Sequence, residues 1–120
     1  MVMTVLIVDD HPTFRSFARD LLEIEGFEVI EEAEDGASAI ERATSLRPDL
    51  VLLDVQLPDM SGFEVAEHLR ADGVPSAIVL TSSRDASSYG DQVHSSGAVG
   101  FIPKGELSGQ AVRALLQEAS

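Results

Sequence analysis

The segment VLIVDDHP, residues 5–12, determines how the rest of the chain is interpreted. Its first four residues are apolar and three of them are β-branched, as is typical of a buried strand. They run directly into Asp9 and Asp10. Two carboxylates about 4 Å apart repel each other by about 4 kcal/mol at an effective dielectric constant near 20. A buried strand that ends on such a pair therefore calls for a chemical explanation.

The composition predicts a single globular domain over residues 1–120. Hydrophobic residues make up 44% of the 120 residues, enough for one buried core but not for two. The formal net charge of −13 repels nucleic acid and anionic membranes. The chain has no cysteine and no apolar run that approaches a membrane span. We therefore expect a cytoplasmic domain that itself binds neither nucleic acid nor membrane.

Strand and helix patterns alternate along the chain. Five short apolar runs predict strands, at residues 5–8, 27–30, 50–53, 77–80 and 98–102. The first interval between them carries apolar residues on one helical face: Phe14, Phe17, Ala18, Leu21 and Leu22. Ser108 is a candidate N-cap for the last helix. Because almost wholly apolar strands are covered on both faces, the pattern predicts a parallel sheet in a three-layer α/β sandwich.

The weakest interval is TSSRDASSYGDQVHSSG, residues 81–97. Its six serines and Gly90 lower its helix propensity, and only Ala86, Tyr89 and Val93 are available for burial. We expect the least stable helix of the fold here; the alternative is a solvated loop with one weak turn.

Polar residues stand at the ends of the predicted strands. They are Asp9 and Asp10 after the first, Asp54 after the third, Thr81 after the fourth and Lys104 after the fifth. The carboxyl ends of parallel strands share one edge of the sheet, where ligands bind. Three carboxylates there should take up protons or hold a cation, and Mg²⁺ suits carboxylate, water and phosphate ligands. Lys104, the only lysine, could neutralise charge at that edge, or be a solvated surface residue.

Four segments together resemble the receiver domain of bacterial two-component response regulators. They are DD at 9–10, DVQLPDMSG at 54–62, VLTSS at 79–83 and GFIPK at 100–104, in order across essentially the whole chain. The segments DHP at 10–12 and PKGEL at 103–107 further resemble receivers that precede LuxR-type helix-turn-helix output domains. The resemblance implies a flavodoxin-like sheet, with strand order 2-1-3-4-5, and five helices.

The resemblance also implies a role for each acidic residue. Asp54 would be the phosphoacceptor, taking a phosphoryl group from the phosphohistidine of a sensor histidine kinase or phosphotransfer protein. Asp10 would bind Mg²⁺ directly and Asp9 mainly through water. Asp54 and the main-chain carbonyl of Gln56 would complete the protein ligands. We expect His11 to lie beside the site at the start of a helix, without a metal role.

Thr81 and Lys104 would contact the phosphoryl oxygens, and Thr81 and Phe101 would form the switch. Phosphorylation would then repack the face made by the fourth helix, fifth strand and fifth helix, and so control an output or a partner. The chain departs from the pattern of the family at two positions. Many receivers have proline where Gly105 stands, and Phe101 lacks a hydroxyl group. Dimerisation, and a DNA-binding domain after residue 120, are left open.

Two other functions are compatible with a strand-end aspartate. A phosphohydrolase of the haloacid dehalogenase type would need an acid two residues after its nucleophile, where Gln56 stands. Its cap would also need more chain than 120 residues. A receiver-like module that is not phosphorylated would not need the full set of acidic, hydroxyl and ammonium groups. The sequence therefore favours a domain that catalyses its own phosphotransfer and hydrolysis, rather than an enzyme acting on other substrates.

Overall fold

The computed structural model describes residues 2–119, and side chains for residues 2–118. Strands and helices alternate, beginning with β1 (Thr4–Val8), α1 (Pro12–Ile24), β2 (Glu28–Ala33), α2 (Gly36–Leu46) and β3 (Leu50–Asp54). They continue with α3 (Gly62–Ala71), β4 (Ala77–Ser82), α4 (Gln92–Ser95), β5 (Gly100–Pro103) and α5 (Gly109–Ala119). Short 3₁₀ turns occupy Ala86–Ser88 and Lys104–Glu106.

The five strands form one parallel sheet in the order β2-β1-β3-β4-β5. This confirms the predicted α/β fold, its strand order and its five helices. β4 extends past residue 80 to include Thr81 and Ser82, and β5 begins at Gly100 rather than at residue 98. The strand order reverses between β1 and β3, and the carboxyl ends of these two strands therefore border the crevice where ligands bind in such sheets.

Two apolar layers cover the sheet. The α1 and α5 layer contains Ala18, Leu22 and Val112, and the α2, α3 and α4 layer contains residues such as Ala39 and Leu69. Successive strand side chains alternate between these layers. In β3, for example, Leu50 and Leu52 face α1 and α5, whereas Val51 and Leu53 face the other side. All four of these β3 leucine and valine residues are buried, as the continuous apolar runs predicted.

The prediction for the apolar face of α1 is wrong at one residue. Ala18 and Leu22 are fully buried, and Phe14 packs against their cluster. These three residues lie four positions apart and so form one stripe along the helix. Phe17 is 51% exposed because it lies beside that stripe, although its ring remains in contact with Phe14 at a centroid distance of 6.3 Å.

Side-chain caps begin three of the helices. Asp35 accepts a hydrogen bond from the Ser38 backbone N–H at 2.8 Å, at the start of α2. Ser61 caps α3 in a reciprocal arrangement with Glu64. Ser108 accepts from the Ala111 N–H at 3.0 Å, which confirms its predicted capping position. Such caps satisfy backbone donors that a helix leaves unpaired in its first turn.

The serine-rich interval forms a 3₁₀ turn and then α4, which has only four residues. Tyr89 and Val93 pack against the core as predicted. The prediction that Ala86 is buried is wrong, because it lies in the 3₁₀ turn, which runs over the surface. None of the helices within residues 2–119 combines the length and the apolar character that crossing a membrane requires.

Candidate functional site

Strand alternation and register bring four predicted site residues to one place. Asp54 ends β3 and pairs with Thr81 of β4, which in turn pairs with Ile102 of β5. Asp9 follows Val8. The residues two positions before these polar groups all belong to the α1 and α5 layer. They are Ile7 before Asp9, Leu52 before Asp54, Val79 before Thr81 and Ile102 before Lys104. The four polar residues therefore extend one face of the sheet beyond its apolar core.

Lys104 forms ion pairs with two of the carboxylates. Its Nζ lies 2.6 Å from Asp9 Oδ2 and 3.2 Å from Asp54 Oδ2. The same ammonium lies 4.5 Å from the centroid of the Phe14 ring, at the start of α1. The Lys104 side chain is 17% exposed, so the alternative of a solvated surface lysine is wrong. Its single positive charge offsets part of the carboxylate repulsion expected from the sequence.

Asp9, Asp10 and Asp54 converge as predicted, and His11 joins them. One ligand atom from each of the four residues lies within 4.8 Å of the others. His11 Nδ1 lies 3.1 Å from Asp9 Oδ1 and from Asp10 Oδ1, and the His11 backbone N–H donates to Asp9 Oδ1 at 2.8 Å. Sequence reasoning placed His11 at the helix start, where it is the N-cap, but missed these contacts. Its position directly after the two aspartates was the available signal.

One buried oxygen in the site has no partner among residues 2–118. It is Thr81 Oγ1, whereas Asp9 Oδ2 lies 2.6 Å from the Lys104 ammonium and is held by that ion pair. A buried polar group left without a partner costs about 1–3 kcal/mol. The Thr81 hydroxyl therefore fits a site that binds a ligand, and hard carboxylate oxygens are donors that suit Mg²⁺.

The pKa values reflect burial in a charged site. Burial raises the pKa of Asp54 to about 6, opposed by the Gln56 N–H and the Lys104 ammonium and reinforced by the negative charge of Asp9. Burial alone would lower the pKa of Lys104, but its bonds and charge interactions with Asp9 and Asp54 raise it overall. Lys104 thus stays protonated, and Asp54 is mainly ionised at neutral pH.

The loop after Asp54 is held by hydrogen bonds that its backbone N–H groups donate. The Gln56 N–H donates to Asp54 Oδ1 at 3.1 Å, and the Gly62 N–H donates to the Val55 carbonyl at 2.7 Å. A Cβ at Gly62 would lie 2.4 Å from the Asp54 carbonyl oxygen. Close approach thus explains glycine at this position. The role of the Gln56 carbonyl as a metal ligand stays a prediction.

Arg15 of α1 supports the loop that carries the aspartates. Its Nη1 donates to the Asp9 carbonyl at 2.6 Å, and its Nε bonds Glu32 of β2 at 2.9 Å. Arg19 also pairs with Glu32, at 2.8 Å. The Glu32 carboxylate is therefore held by two arginines of α1 rather than being solvated. The pairing joins a helix to a strand, so no local spacing in the sequence could reveal it.

Phe101 of β5 and Lys104, in the turn that follows this strand, lie on opposite faces of the sheet. Lys104 begins the 3₁₀ turn that includes Gly105, and no cis peptide bond occurs within residues 2–119. Phe101 is partly buried against the layer of α2, α3 and α4, where its ring lies 5.8 Å from that of Tyr89. The structure thus brings together Asp9, Asp54 and Lys104, and places Phe101 on the other side of the sheet.

Comparison with known proteins identifies the family of this chain. The family model described as response regulator receiver domain matches residues 5–116. The nitrate/nitrite response regulator protein NarP of Escherichia coli is 44% identical over 114 residues, covering 92% of this chain and 53% of NarP. The virulence factors putative positive transcription regulator BvgA of Bordetella pertussis is 37% identical over 114 residues, covering 95% of this chain and 54% of BvgA.

A solved structure of a receiver domain also matches this chain. The signal receiver domain of the putative response regulator NarL from Mycobacterium tuberculosis superimposes with a TM-score of 0.88 at 34% identity. The match covers 98% of this chain and 96% of that one. The chain therefore belongs to the receiver domain family of two-component response regulators, which are signalling domains. It spans about half the length of the curated relatives described above.

Proposed function

We propose that this chain is a phosphoacceptor that receives a phosphoryl group on Asp54 from a phosphohistidine. The observation that carries the proposal is the contact of Lys104 with Asp9 and Asp54, beside Thr81, whose hydroxyl has no hydrogen-bond partner among the described residues. These groups come from four different segments of the sequence. Phosphoryl transfer depends mainly on positioning and on neutralising charge, for which such a set is suited.

In the transfer, an Asp54 carboxylate oxygen attacks phosphorus in line with the bond to the donor imidazole. The oxygen–phosphorus bond forms as the phosphorus–nitrogen bond breaks, and the released imidazole takes up a proton from solvent. Lys104 pairs with one phosphoryl oxygen, and Thr81 donates its hydroxyl hydrogen to another. The domain would later return to its starting state when water hydrolyses the acyl phosphate at the same residues.

Mg²⁺ fits the carboxylate oxygens of the site and would neutralise phosphoryl charge when bound. Asp10 would bind it directly and Asp9 mainly through water, with Asp54 and the Gln56 carbonyl completing the protein ligands. Asp10 suits the direct role because its side chain is 36% exposed, whereas that of Asp9 is fully buried. Asp9 instead keeps its ion pair with Lys104 and so orients the ammonium beside Asp54.

The output would follow from the added charge. A phosphoryl group carries about −1.5 to −2 charges at neutral pH, and would draw Thr81 and Lys104 toward Asp54. Phe101 lies on β5, three residues before Lys104, and pairs with the residue before Thr81. We therefore expect its ring to move and the surface of α4, β5 and α5 to repack. A sensor histidine kinase or phosphotransfer protein would be the donor. The repacked surface would control dimerisation or a DNA-binding segment outside these residues, as in a transcription regulator.

The two alternative functions have less support. Gln56 is exposed and offers no acid two residues after Asp54, as a phosphohydrolase of the haloacid dehalogenase type would need. A receiver-like module that is not phosphorylated would not require the ion pair between Lys104 and Asp54.

Mass spectrometry of the intact chain after incubation with acetyl phosphate and Mg²⁺ tests the proposal. We expect one phosphoryl adduct in wild type and in Asp72→Ala, a control at an exposed carboxylate that ends α3. Asp54→Ala, and wild type with a chelator, should gain none. An adduct that persists in Asp54→Ala would contradict the assignment of the acceptor. No adduct in wild type would contradict the phosphoacceptor function itself.

A further inference from the structure

The chain's single tyrosine is hydrogen-bonded to the residue that follows Thr81. The hydroxyl groups of Tyr89 and Ser82 lie 2.6 Å apart. Ser82 is fully buried at the end of β4, and its Oγ also accepts the Arg84 N–H at 3.1 Å. Tyr89 lies in the serine-rich interval between the 3₁₀ turn and α4. This bond therefore fixes the loop after β4 to the strand end that carries Thr81.

The Tyr89 ring also lies between two other aromatic rings. It meets Phe63 of α3 edge-on, at a centroid distance of 5.4 Å and an interplanar angle of 69°. It meets Phe101 of β5 at 5.8 Å and 54°. Aromatic pairs in such arrangements are worth about 0.5–1.5 kcal/mol beyond the area they bury. A shift of Tyr89 would therefore be transmitted to Phe101.

Thr81 and Ser82 direct their side chains to opposite faces of the sheet. Two positions before Thr81, Val79 belongs to the α1 and α5 layer, and two before Ser82, Leu80 belongs to the other. A displacement of Thr81 toward Asp54 reaches the other face of the sheet through the backbone that Thr81 shares with Ser82. On that face it changes the two hydrogen bonds of Ser82 Oγ, one with the Tyr89 hydroxyl and one from the Arg84 N–H.

The ring also has space beside it. Tyr89 and Phe63 line an open cavity of about 340 Å³, together with Gln56, Leu57 and Met60 of the loop after Asp54. Release from Ser82 would therefore let the ring move without displacing a packed neighbour on that side.

We propose that Tyr89 is a positioning residue whose hydrogen bond to Ser82 opposes movement of Thr81 toward a phosphoryl group on Asp54. The inference rests on the proposed phosphoacceptor function. Phosphorylation moves Thr81 toward Asp54 and so draws its neighbour Ser82 away from Tyr89. The hydrogen bond between Ser82 and Tyr89 then breaks, and the freed Tyr89 ring changes its contact with Phe101. Because Phe101 has no hydroxyl group, Tyr89 supplies the polar part of the switch from a different element of the fold.

Beryllofluoride with saturating Mg²⁺, titrated by NMR, tests this mechanism. Tyr89→Phe removes the bond between Tyr89 and Ser82 alone, whereas Ser82→Ala also removes the acceptor of the Arg84 N–H. Both variants should bind beryllofluoride about two- to tenfold more tightly than wild type, the range expected for one hydrogen bond. The double variant should bind no more tightly than Ser82→Ala, because the Tyr89 hydroxyl has already lost its partner in that variant. Ser83→Ala, at the exposed neighbouring serine, is the matched control and should equal wild type.

Absorption in the near ultraviolet gives a second readout, because the chain has one tyrosine and no tryptophan. Beryllofluoride should change the spectrum of wild type, and Ser82→Ala should show the changed spectrum before any is added. Unchanged or weaker binding by both single variants would overturn the role of Tyr89 while leaving the acceptor function intact. If wild type binds no beryllofluoride, or Asp54→Ala binds it equally well, both proposals are wrong.

Discussion

The ammonium of Lys104 lies 3.2 Å from Asp54 Oδ2, although 50 residues separate them in sequence. The distance follows from adjacent strands in register, since β3 pairs with β4 and β4 with β5. Lys104 also meets the fully buried Asp9. One ammonium group thus offsets the charge of two carboxylates.

Lys104→Met should lower the free energy of unfolding by about 3–5 kcal/mol at pH 7, because it leaves the buried Asp9 without its counter-charge. Urea denaturation without divalent cations measures the change. In an Asp54→Asn background the same substitution should cost less, since one of the two carboxylates is already neutral. Arg84→Met, at an exposed arginine, is the control and should change stability little. An equal loss in both backgrounds would refute the coupling between Lys104 and Asp54.

Gly62→Ala should lower the free energy of unfolding by about 1–3 kcal/mol and slow phosphorylation of Asp54. The added Cβ would lie 2.4 Å from the Asp54 carbonyl oxygen and 2.9 Å from the Val55 Cα, and neither backbone atom can rotate away. Thermal unfolding and acetyl phosphate labelling measure the two effects. Gly105→Ala is the matched control, because nothing lies within 4 Å of a Cβ there. Similar losses in both variants would contradict the close-approach explanation.

The sequence predicts the sheet and its acidic edge because both depend on local patterns. A continuous apolar run indicates a strand covered on both sides, and the residues just after such runs must meet at one edge. The proximity of Asp54 and Lys104 is therefore predictable from the sequence alone.

Contacts between elements could not be predicted in this way. Glu32 depends on two arginines of α1, and Ser82 depends on a tyrosine in the following loop. Both partnerships require knowledge of which residues face each other after packing. The exposure of Phe17 has a similar origin, since hydrophobic spacing defines a stripe of α1 but not its edges.

Glu32→Gln should destabilise the protein by about 1 kcal/mol at neutral pH. Burial alone would raise the pKa of Glu32, but hydrogen bonds and charge from Arg19 and Arg15 lower it below the usual 4.5. A lowered pKa in the folded state stabilises the fold above the unfolded value, and that contribution is lost as pH falls through the folded value. The difference from wild type should thus be full above about pH 4.5 and shrink below it.

Urea denaturation from pH 7 to pH 3 measures this difference. Glu28→Gln, at an exposed position of the same strand, is the control and should show no comparable pH dependence. High salt should reduce the effect of Glu32→Gln, because the pair is partly exposed. A difference between wild type and Glu32→Gln that grows toward low pH would show that the arginines do not stabilise the ionised carboxylate.

Amides of residues 85–95 should exchange with solvent at least about tenfold faster than those in the middle of α3, because this interval has few buried contacts. Residues 83–88 are all exposed, and α4 has only four residues. Hydrogen exchange read by mass spectrometry measures the difference. With beryllofluoride and Mg²⁺, protection in this interval should change while that of α3 stays constant, because the interval absorbs the movement of Thr81 and Ser82. Equal protection of residues 85–95 in both states would place the response elsewhere in the fold.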